Sequence, residues 1–192
     1  SEDGVLAGLG VKIRAKNILS RSKIGSGGYA INPYVGCPHG CIYCYAKFMR
    51  GVTGHEEAWG EFLDVKDFDA ASLVKFAGLH GDERVFMSSV TDCYNSYEAR
   101  FGATRKVLEA LAGSDINLQI LTKSSLVTRD MDLLQTMPNV RVGVSLSVID
   151  ESLRRTLEPR ASSVAARIAA IKKLRAAGVK TYIFVAPIFP QI

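Results

Sequence analysis

From Arg84 onward, short apolar runs of strand character alternate with helical segments, and that order leaves few folds open. Arg84–Ser89, Asn117–Thr122, Val140–Ser147 and Val179–Val185 read as strands, the third with Val140, Val142, Val144 and Leu146 on one side. Between them, Tyr97–Ala112 reads as a helix carrying Phe101, Thr104, Leu108 and Leu111 close to one face, and Arg129–Met137 as a short helix ended by Pro138. Ser163–Ala177 sets Val164, Ile168, Ile171 and Leu174 at helical spacing, with Gly178 where a left-handed C-cap belongs. Upstream, Ala70–Leu79 has helical character, and residues 29–35 are extended because Pro33 disfavours helix before it. Strands separated by crossovers of this length form parallel βαβ units, so an α/β partial parallel barrel is expected rather than a bundle or sandwich. Five strands are visible, whereas a closed eight-stranded barrel takes ~250 residues. The expectation is a barrel truncated after the fifth strand, its apolar edge covered by a missing C-terminal segment or a partner.

Apolar residues make up 47% of the 192 and charged residues 22%, which suits one soluble globular domain. No apolar run approaches the ~20 residues of a membrane span, and the N-terminal Ser1-Glu2-Asp3 opens no secretion signal. The net charge of +5 is concentrated: Lys12, Arg14, Lys16, Arg21 and Lys23 lie in a stretch without an acid and equal the whole excess. Such a segment steers a polyanion such as DNA or RNA, or serves as a solvated arm; no aromatic platform is interleaved with it. Residues 1–28 are read as an N-terminal extension carrying this basic stretch, and residues 29–192 as the core domain.

Of the four cysteines, Cys37, Cys41 and Cys44 fall in one short segment, Gly36-Cys37-Pro38-His39-Gly40-Cys41-Ile42-Tyr43-Cys44. A disulfide scaffold needs more cysteines in a chain this long. Structural zinc needs a fourth ligand nearby, and His39, between the first two cysteines, is badly placed to complete a tetrahedron. Three thiolates at C-x3-C-x2-C suit three irons of a [4Fe–4S] cube and leave the fourth iron open, where S-adenosylmethionine can chelate through its amino and carboxylate groups. Reductive cleavage of the sulfonium then yields methionine and a 5′-deoxyadenosyl radical. The competing readings are a zinc-binding or electron-transfer module, although a ferredoxin-like protein supplies four cysteines to each cube.

Further motifs make the sequence resemble the radical S-adenosylmethionine superfamily and, within it, the group similar to spore photoproduct lyase, the DNA repair photolyase-like proteins. They are Asn32-Pro33-Tyr34, Gly54-His55-Glu56-Glu57-Ala58-Trp59-Gly60, Ser88-Ser89-Val90-Thr91-Asp92, Leu121-Thr122-Lys123-Ser124, Glu158-Pro159-Arg160 and Ala186-Pro187-Ile188-Phe189-Pro190. The resemblance implies the superfamily's partial barrel, cluster ligation by Cys37, Cys41 and Cys44, and Tyr43 lying against adenine, with a core tyrosine as the plainer alternative. It also implies that Tyr45 relays a hydrogen atom and that Lys123 contacts the carboxylate or ribose of S-adenosylmethionine.

Ser145 and Ser147 are candidates for the ribose hydroxyls, or are ordinary strand serines. Arg160 is a candidate grip on a carboxylate, or a salt-bridge partner of Glu158. Asp92 and Glu98 are candidates for the amino or ribose groups. Cys93 is a candidate hydrogen donor to a substrate radical, or a buried small hydrophobe; the family's donor cysteine corresponds to Val90, so Cys93 departs from the pattern. The function implied is radical chemistry for repair or modification of nucleic acid, with a small molecule, peptide or protein side chain as the alternative substrate. A low-potential electron donor (flavodoxin or ferredoxin) and a reducing cytoplasm follow from an oxygen-labile cluster.

Overall fold

The computed structural model describes residues 9–22 and 28–190. Residues 1–8, 23–27 (Lys23 among them) and 191–192 lie outside the described residues. Nine strands run β1 (Leu9–Arg14), β2 (Leu19–Arg21), β3 (Tyr29–Ile31), β4 (Tyr34–Val35), β5 (Leu63–Asp67), β6 (Arg84–Met87), β7 (Asn117–Thr122), β8 (Arg141–Ser145) and β9 (Lys180–Phe184) among the described residues. The helices are α1 (Met49–Thr53), α2 (Ala70–Leu79), α3 (Glu98–Phe101), α4 (Ala103–Leu111), α5 (Met131–Leu134), α6 (Glu151–Leu157) and α7 (Val164–Ala176).

Strands β3, β6, β7, β8 and β9 lie side by side in sequence order and are all parallel, with β2 added antiparallel at the β3 edge. This is the expected partial (β/α) barrel. Pairings Ile31↔Met87, Met87↔Ile120, Thr122↔Val144 and Ser145↔Phe184 bring the C-terminal strand ends to one rim. Residues just beyond those ends, including Asn32, Ser88 and Lys123, therefore share that rim. Beneath it the sheet's Ile31, Val85, Leu118, Ile120 and Val142 pack against Leu73 of α2, Leu108 and Leu111 of α4 and Leu174 of α7. At roughly 1.5–3 kcal/mol per buried large apolar side chain, this core is the main source of stability. At the other edge β9 carries exposed Ile183 and Phe184, with exposed Val185 just beyond it.

A second sheet, ordered β1-β5-β4, has β1 parallel and β4 antiparallel to β5. The sequence gives no period for β1, β2 or β5, so these strands are additions to the expected order. The helix expected over Tyr97–Ala112 is two helices, because Gly102 adopts φ +63° and breaks the chain between α3 and α4. Phe101 is accordingly turned away from the main core, toward Leu9, Tyr34 and Leu63. The segment expected as one helix over Arg129–Met137 begins earlier, as a 3-10 turn over Ser125–Asp130 capped by Ser124, and becomes helical only over α5. In α7 the buried stripe is Val164, Arg167, Ala170 and Leu174 rather than the expected apolar set; Ile168 is exposed. The register is rotated because Arg167 is drawn inward by a buried acid. Gly178 has the expected left-handed conformation, φ +82°.

Candidate metal centre

The three-cysteine segment leaves β4 at the rim of the parallel sheet. Two turns shape it, with the Gly40 amide donating to the Cys37 carbonyl at 3.2 Å and the Cys44 amide to the Cys41 carbonyl at 3.2 Å. Cys37 and Cys41 are buried, Cys44 is half-buried, and all three are free thiols. Burial pushes the Cys37 thiol up, and Asp92, Cys41 and Cys44 add to the rise. Cys41 is pushed up to about 12 by burial, while Lys123 opposes the shift. The thiols therefore sense one another, and one of them senses a cation. Among the described residues no group of three or more His, Cys, Asp and Glu side chains is drawn close enough to hold a metal ion. The donor set itself, three free thiols in one loop with the fourth cysteine elsewhere, matches an iron–sulfur cluster with one open position better than a four-ligand structural zinc site.

The turn between α6 and α7 straps this loop in place. The Ile42 amide donates to the Leu157 carbonyl at 3.0 Å, and the Arg160 amide to the His39 carbonyl at 3.4 Å. The Tyr43 hydroxyl donates to Glu158, which is also bonded to the fully buried Arg167. Arg167 donates further to the Ser162 and Ser145 carbonyls at 2.8 and 2.9 Å. Glu158 thus pairs with Arg167 and not with Arg160. The Arg160 guanidinium instead donates through Nη1 to the Gly60 carbonyl at 2.8 Å. Gly40 and Gly60 meet so closely under it that a Cβ on Gly60 would stand 2.8 Å from the Gly40 Cα, and both adopt positive φ. Only glycine satisfies both demands.

Lys123, just past β7, extends its ammonium over the Tyr43 ring, 5.7 Å from the centroid. Phe189 meets the same ring edge-on at 5.5 Å. Burial raises the Tyr43 phenol, and its bond to Glu158 raises it further. At the end of β8 the Ser145 hydroxyl is buried without a hydrogen-bond partner, and the Ser147 hydroxyl donates to the Ala186 carbonyl. An orphaned buried hydroxyl at the rim is costly unless a ligand meets it.

Asp92 sits beneath the cysteine loop with its carboxylate fully engaged. Oδ1 accepts from the Thr122 hydroxyl at 2.7 Å and the Tyr94 amide at 2.9 Å; Oδ2 accepts from the Lys123 amide at 2.8 Å and faces His39 Nδ1 at 3.3 Å. Burial works to raise the carboxyl, but His39 and these donors together hold it well below the usual carboxylate range. It ties the loop to β7 rather than presenting a free acceptor. His39, considered above only as a zinc ligand, is the other half of this tie.

Two sequence candidates are placed elsewhere. Glu98, a candidate for the amino or ribose groups, is fully buried and accepts from the Tyr34 hydroxyl, the Thr104 and Arg105 amides at 2.9 and 3.1 Å, and Arg129 at 2.6 Å, so that it anchors α4. Cys93 is fully buried in the main apolar core, where burial raises its thiol well above the usual range. Tyr45 stands at the rim, 66% exposed, its hydroxyl donating to the Ser89 carbonyl. Ser88, whose φ of +78° is unusual for a residue with a side chain, opens that same rim loop. Sequence reading passed over this strained position, for which only the Ser-Ser pair after a strand gave a signal.

Comparison with known proteins bears on the family and the fold. The family profile described as Radical SAM superfamily matches residues 31–191. An uncharacterized protein of Methanocaldococcus jannaschii is 37% identical over 182 residues, covering 95% of this chain and 68% of its own length. An uncharacterized protein of Mycobacterium tuberculosis is 36% identical over 179 residues, 85% of this chain and 50% of that protein. Among solved structures, spore photoproduct lyase complexed with dinucleoside spore photoproduct superposes with a TM-score of 0.74 at 22% identity, over 97% of this chain and 53% of that one. The chain thus spans about half the length of that enzyme and of the mycobacterial relative. At this identity the superposition establishes the fold.

Proposed function

The chain belongs to the radical S-adenosylmethionine superfamily, and on that premise we propose that its Cys37, Cys41 and Cys44 hold a [4Fe–4S] cluster for the reductive cleavage of S-adenosylmethionine. When bound, cluster and S-adenosylmethionine supply one-electron scission of the C5′–S bond, giving methionine and a 5′-deoxyadenosyl radical that removes hydrogen from a substrate. The observation that carries this reading is the set of three free thiols in one loop at the C-terminal rim of parallel strands, the face on which barrels of this kind place their chemistry.

The surrounding residues receive the organic cofactor. The Tyr43 ring offers a flat face for adenine, and the Lys123 ammonium beside it offers a charge for the carboxylate or ribose. Ser145 contributes the unpartnered hydroxyl to the ribose, with Ser147 next along the chain. Arg160 keeps Nη1 on Gly60 and directs its second nitrogen to a carboxylate. Asp92 and His39 hold the loop that these groups surround. Tyr45, exposed at the rim, is assigned the relay of a hydrogen atom back to the product radical.

The substrate we assign is a nucleic acid, with lesion repair of the spore photoproduct type as the specific reaction. Lys12 and Arg14 on β1, Lys16, and Arg21 on β2 are all exposed, which supports attraction of a polyanion. A target base would leave its stack to reach the rim. The electron comes from a low-potential donor of the flavodoxin or ferredoxin type. The test is anaerobic reconstitution with iron and sulfide, followed by dithionite and S-adenosylmethionine, quantifying 5′-deoxyadenosine with and without ultraviolet-treated DNA containing spore photoproduct. Cleavage coupled to loss of photoproduct supports the full reading. Cleavage indifferent to DNA keeps the radical chemistry and moves the substrate to a small molecule, peptide or protein side chain. Absence of cleavage, with zinc bound in place of a four-iron cluster, overturns it.

A further inference from the structure

A buried arginine on an otherwise apolar helix stripe is costly unless it is paired and fully hydrogen-bonded. Arg167 has no exposed surface, whereas Ile168, its neighbour on α7, is exposed. Its three donor nitrogens are all committed: Nε to the Ser162 carbonyl, Nη1 to the Ser145 carbonyl, and Nη2 to Glu158. The Ser162 carbonyl belongs to the segment entering α7, and the Ser145 carbonyl closes β8, so the guanidinium is fixed to both elements. Glu158 is also without exposed surface, and its other carboxylate oxygen accepts the Tyr43 hydroxyl. Tyr43 lies between the second and third thiols of the loop. A continuous chain of charge-assisted bonds therefore runs from β8 and α7 to the centre of the cysteine loop.

We propose that Arg167 and Glu158 form a positioning relay that sets the shape of the Cys37–Cys44 loop, and the plane of the Tyr43 ring, before any cofactor arrives. The inference deepens the cofactor-site reading above and rests on it. Physically, a loop that binds a cluster without a fixed shape must lose its conformational freedom on binding; one already held loses less. The relay acts at the single side chain of the loop that reaches the carboxylate, while the backbone bonds from Ile42 to Leu157 and from Arg160 to His39 fix the flanks.

The test uses the full chain and two readouts. Replacing Arg167 alone leaves Glu158 as an uncompensated buried charge, a global loss large enough to mask a local change in the loop. Three softer variants avoid this: Tyr43→Phe, the charge-free pair Glu158→Gln with Arg167→Met, and all three changes together. The first readout is amide hydrogen exchange over residues 37–45 in cofactor-free protein. Tyr43→Phe is expected to speed exchange about tenfold, the scale of one hydrogen bond to a charged group. The charge-free pair is expected to do the same, and the triple variant to add nothing, because all three break one chain. The second readout is the dissociation constant of S-adenosylmethionine, from the change it causes in the electron paramagnetic resonance of the reduced, reconstituted protein. It is expected to weaken in parallel, with iron and sulfide content unchanged. Unchanged loop exchange in Tyr43→Phe, or a triple variant whose effect is the product of the other two, overturns the relay. Because exchange is read without cofactor, failure of wild-type protein to bind a cluster counts against the cofactor reading and leaves the relay to be decided by exchange alone.

Discussion

Glu98 and Glu158 are both fully buried, both accept a tyrosine hydroxyl, and both are paired with an arginine. They differ in what else they touch. Glu98 also accepts the backbone amides of Thr104 and Arg105 in the first turn of α4, where a negative charge is favoured by the helix end. Its arginine, Arg129, keeps 27% of its side chain exposed and is shared with Asp130. The Glu158 carboxylate is held by side chains, Tyr43 and a wholly buried Arg167. One acid is therefore fixed by backbone that is itself fixed, and belongs to the frame. The other depends on two side chains, one of which lies inside the cysteine loop. The same trio of residue types makes a rigid joint in one place and an adjustable support for a site in the other.

The largest effects should separate the two acids by stability. Arg167→Met alone removes the salt-bridge partner of Glu158 and is expected to cost ~3–5 kcal/mol. Arg129→Met leaves Glu98 its two amide donors and is expected to cost only ~1–2 kcal/mol. Urea midpoints of the two variants measure the difference, and equal losses would break the comparison. Asp92 lies between these cases, accepting two backbone amides and two side chains while reaching the cysteine loop through His39. Asp92→Asn, which turns an acceptor into a donor facing donors, is expected to cost ~2 kcal/mol at neutral pH. Because the folded carboxyl lies below its unfolded value, near 3.9, its contribution is present above that pH and lost as pH falls through the folded value. The wild-type advantage over Asp92→Asn should therefore shrink below about pH 4, and an advantage constant down to pH 2 would refute the assigned charge. Tyr34→Phe comes next, at ~1 kcal/mol of stability with binding of S-adenosylmethionine unchanged, the reverse of what is expected for Tyr43→Phe.

How much of this was legible in the sequence follows from the range of each interaction. The parallel order and the bounds of Ala70–Leu79 and Asn117–Thr122 match the expected ones, because apolar periodicity and end signals are local. β1 and β5 were not seen, since each is a short mixed-polarity strand whose pairing partner lies some fifty residues away. The cysteine spacing and the Lys123 and Glu158-Pro159-Arg160 motifs were visible as letters. What could not be read was which partner each would take: Glu158 chose Arg167 over its near neighbour Arg160, and His39 chose Asp92. The one available signal was an arginine three residues after Val164 and seven before Leu174, on the stripe that should have been apolar. Cys93 and Glu98 drew attention through residue type and their place just past a strand's C-terminal end. Burial, which decides the matter, is a property of the assembled fold.

The smallest effect comes from the inverse arrangement, a cation between two acids. His55 contacts Glu57 through Nδ1 at 3.1 Å and Asp64 through Nε2 at 3.0 Å, and its ring stacks on Phe62 with centroids 4.1 Å apart. With a carboxylate at each nitrogen, a neutral ring can donate to only one of the two acids, and both contacts are hydrogen bonds only when the ring carries both protons. Burial alone would lower its pKa, but the bonds to Asp64 and Glu57 prevail and raise it above the ordinary value. The sign follows: this stabilisation is complete below the unfolded value near 6.5 and disappears as pH rises through the folded value. Glu57 and the imidazole both keep part of their surface in solvent, so solvent and salt weaken their contact. The melting temperature of wild type, relative to His55→Gln, should therefore fall by no more than about 3 °C between pH 6 and 8.5, and by less in high salt. A larger drop would mean that this surface clamp is coupled to the buried frame as Glu98 is. A relative melting temperature that does not change with pH would mean that the imidazole is neutral throughout, with one of its two acid contacts left unbonded.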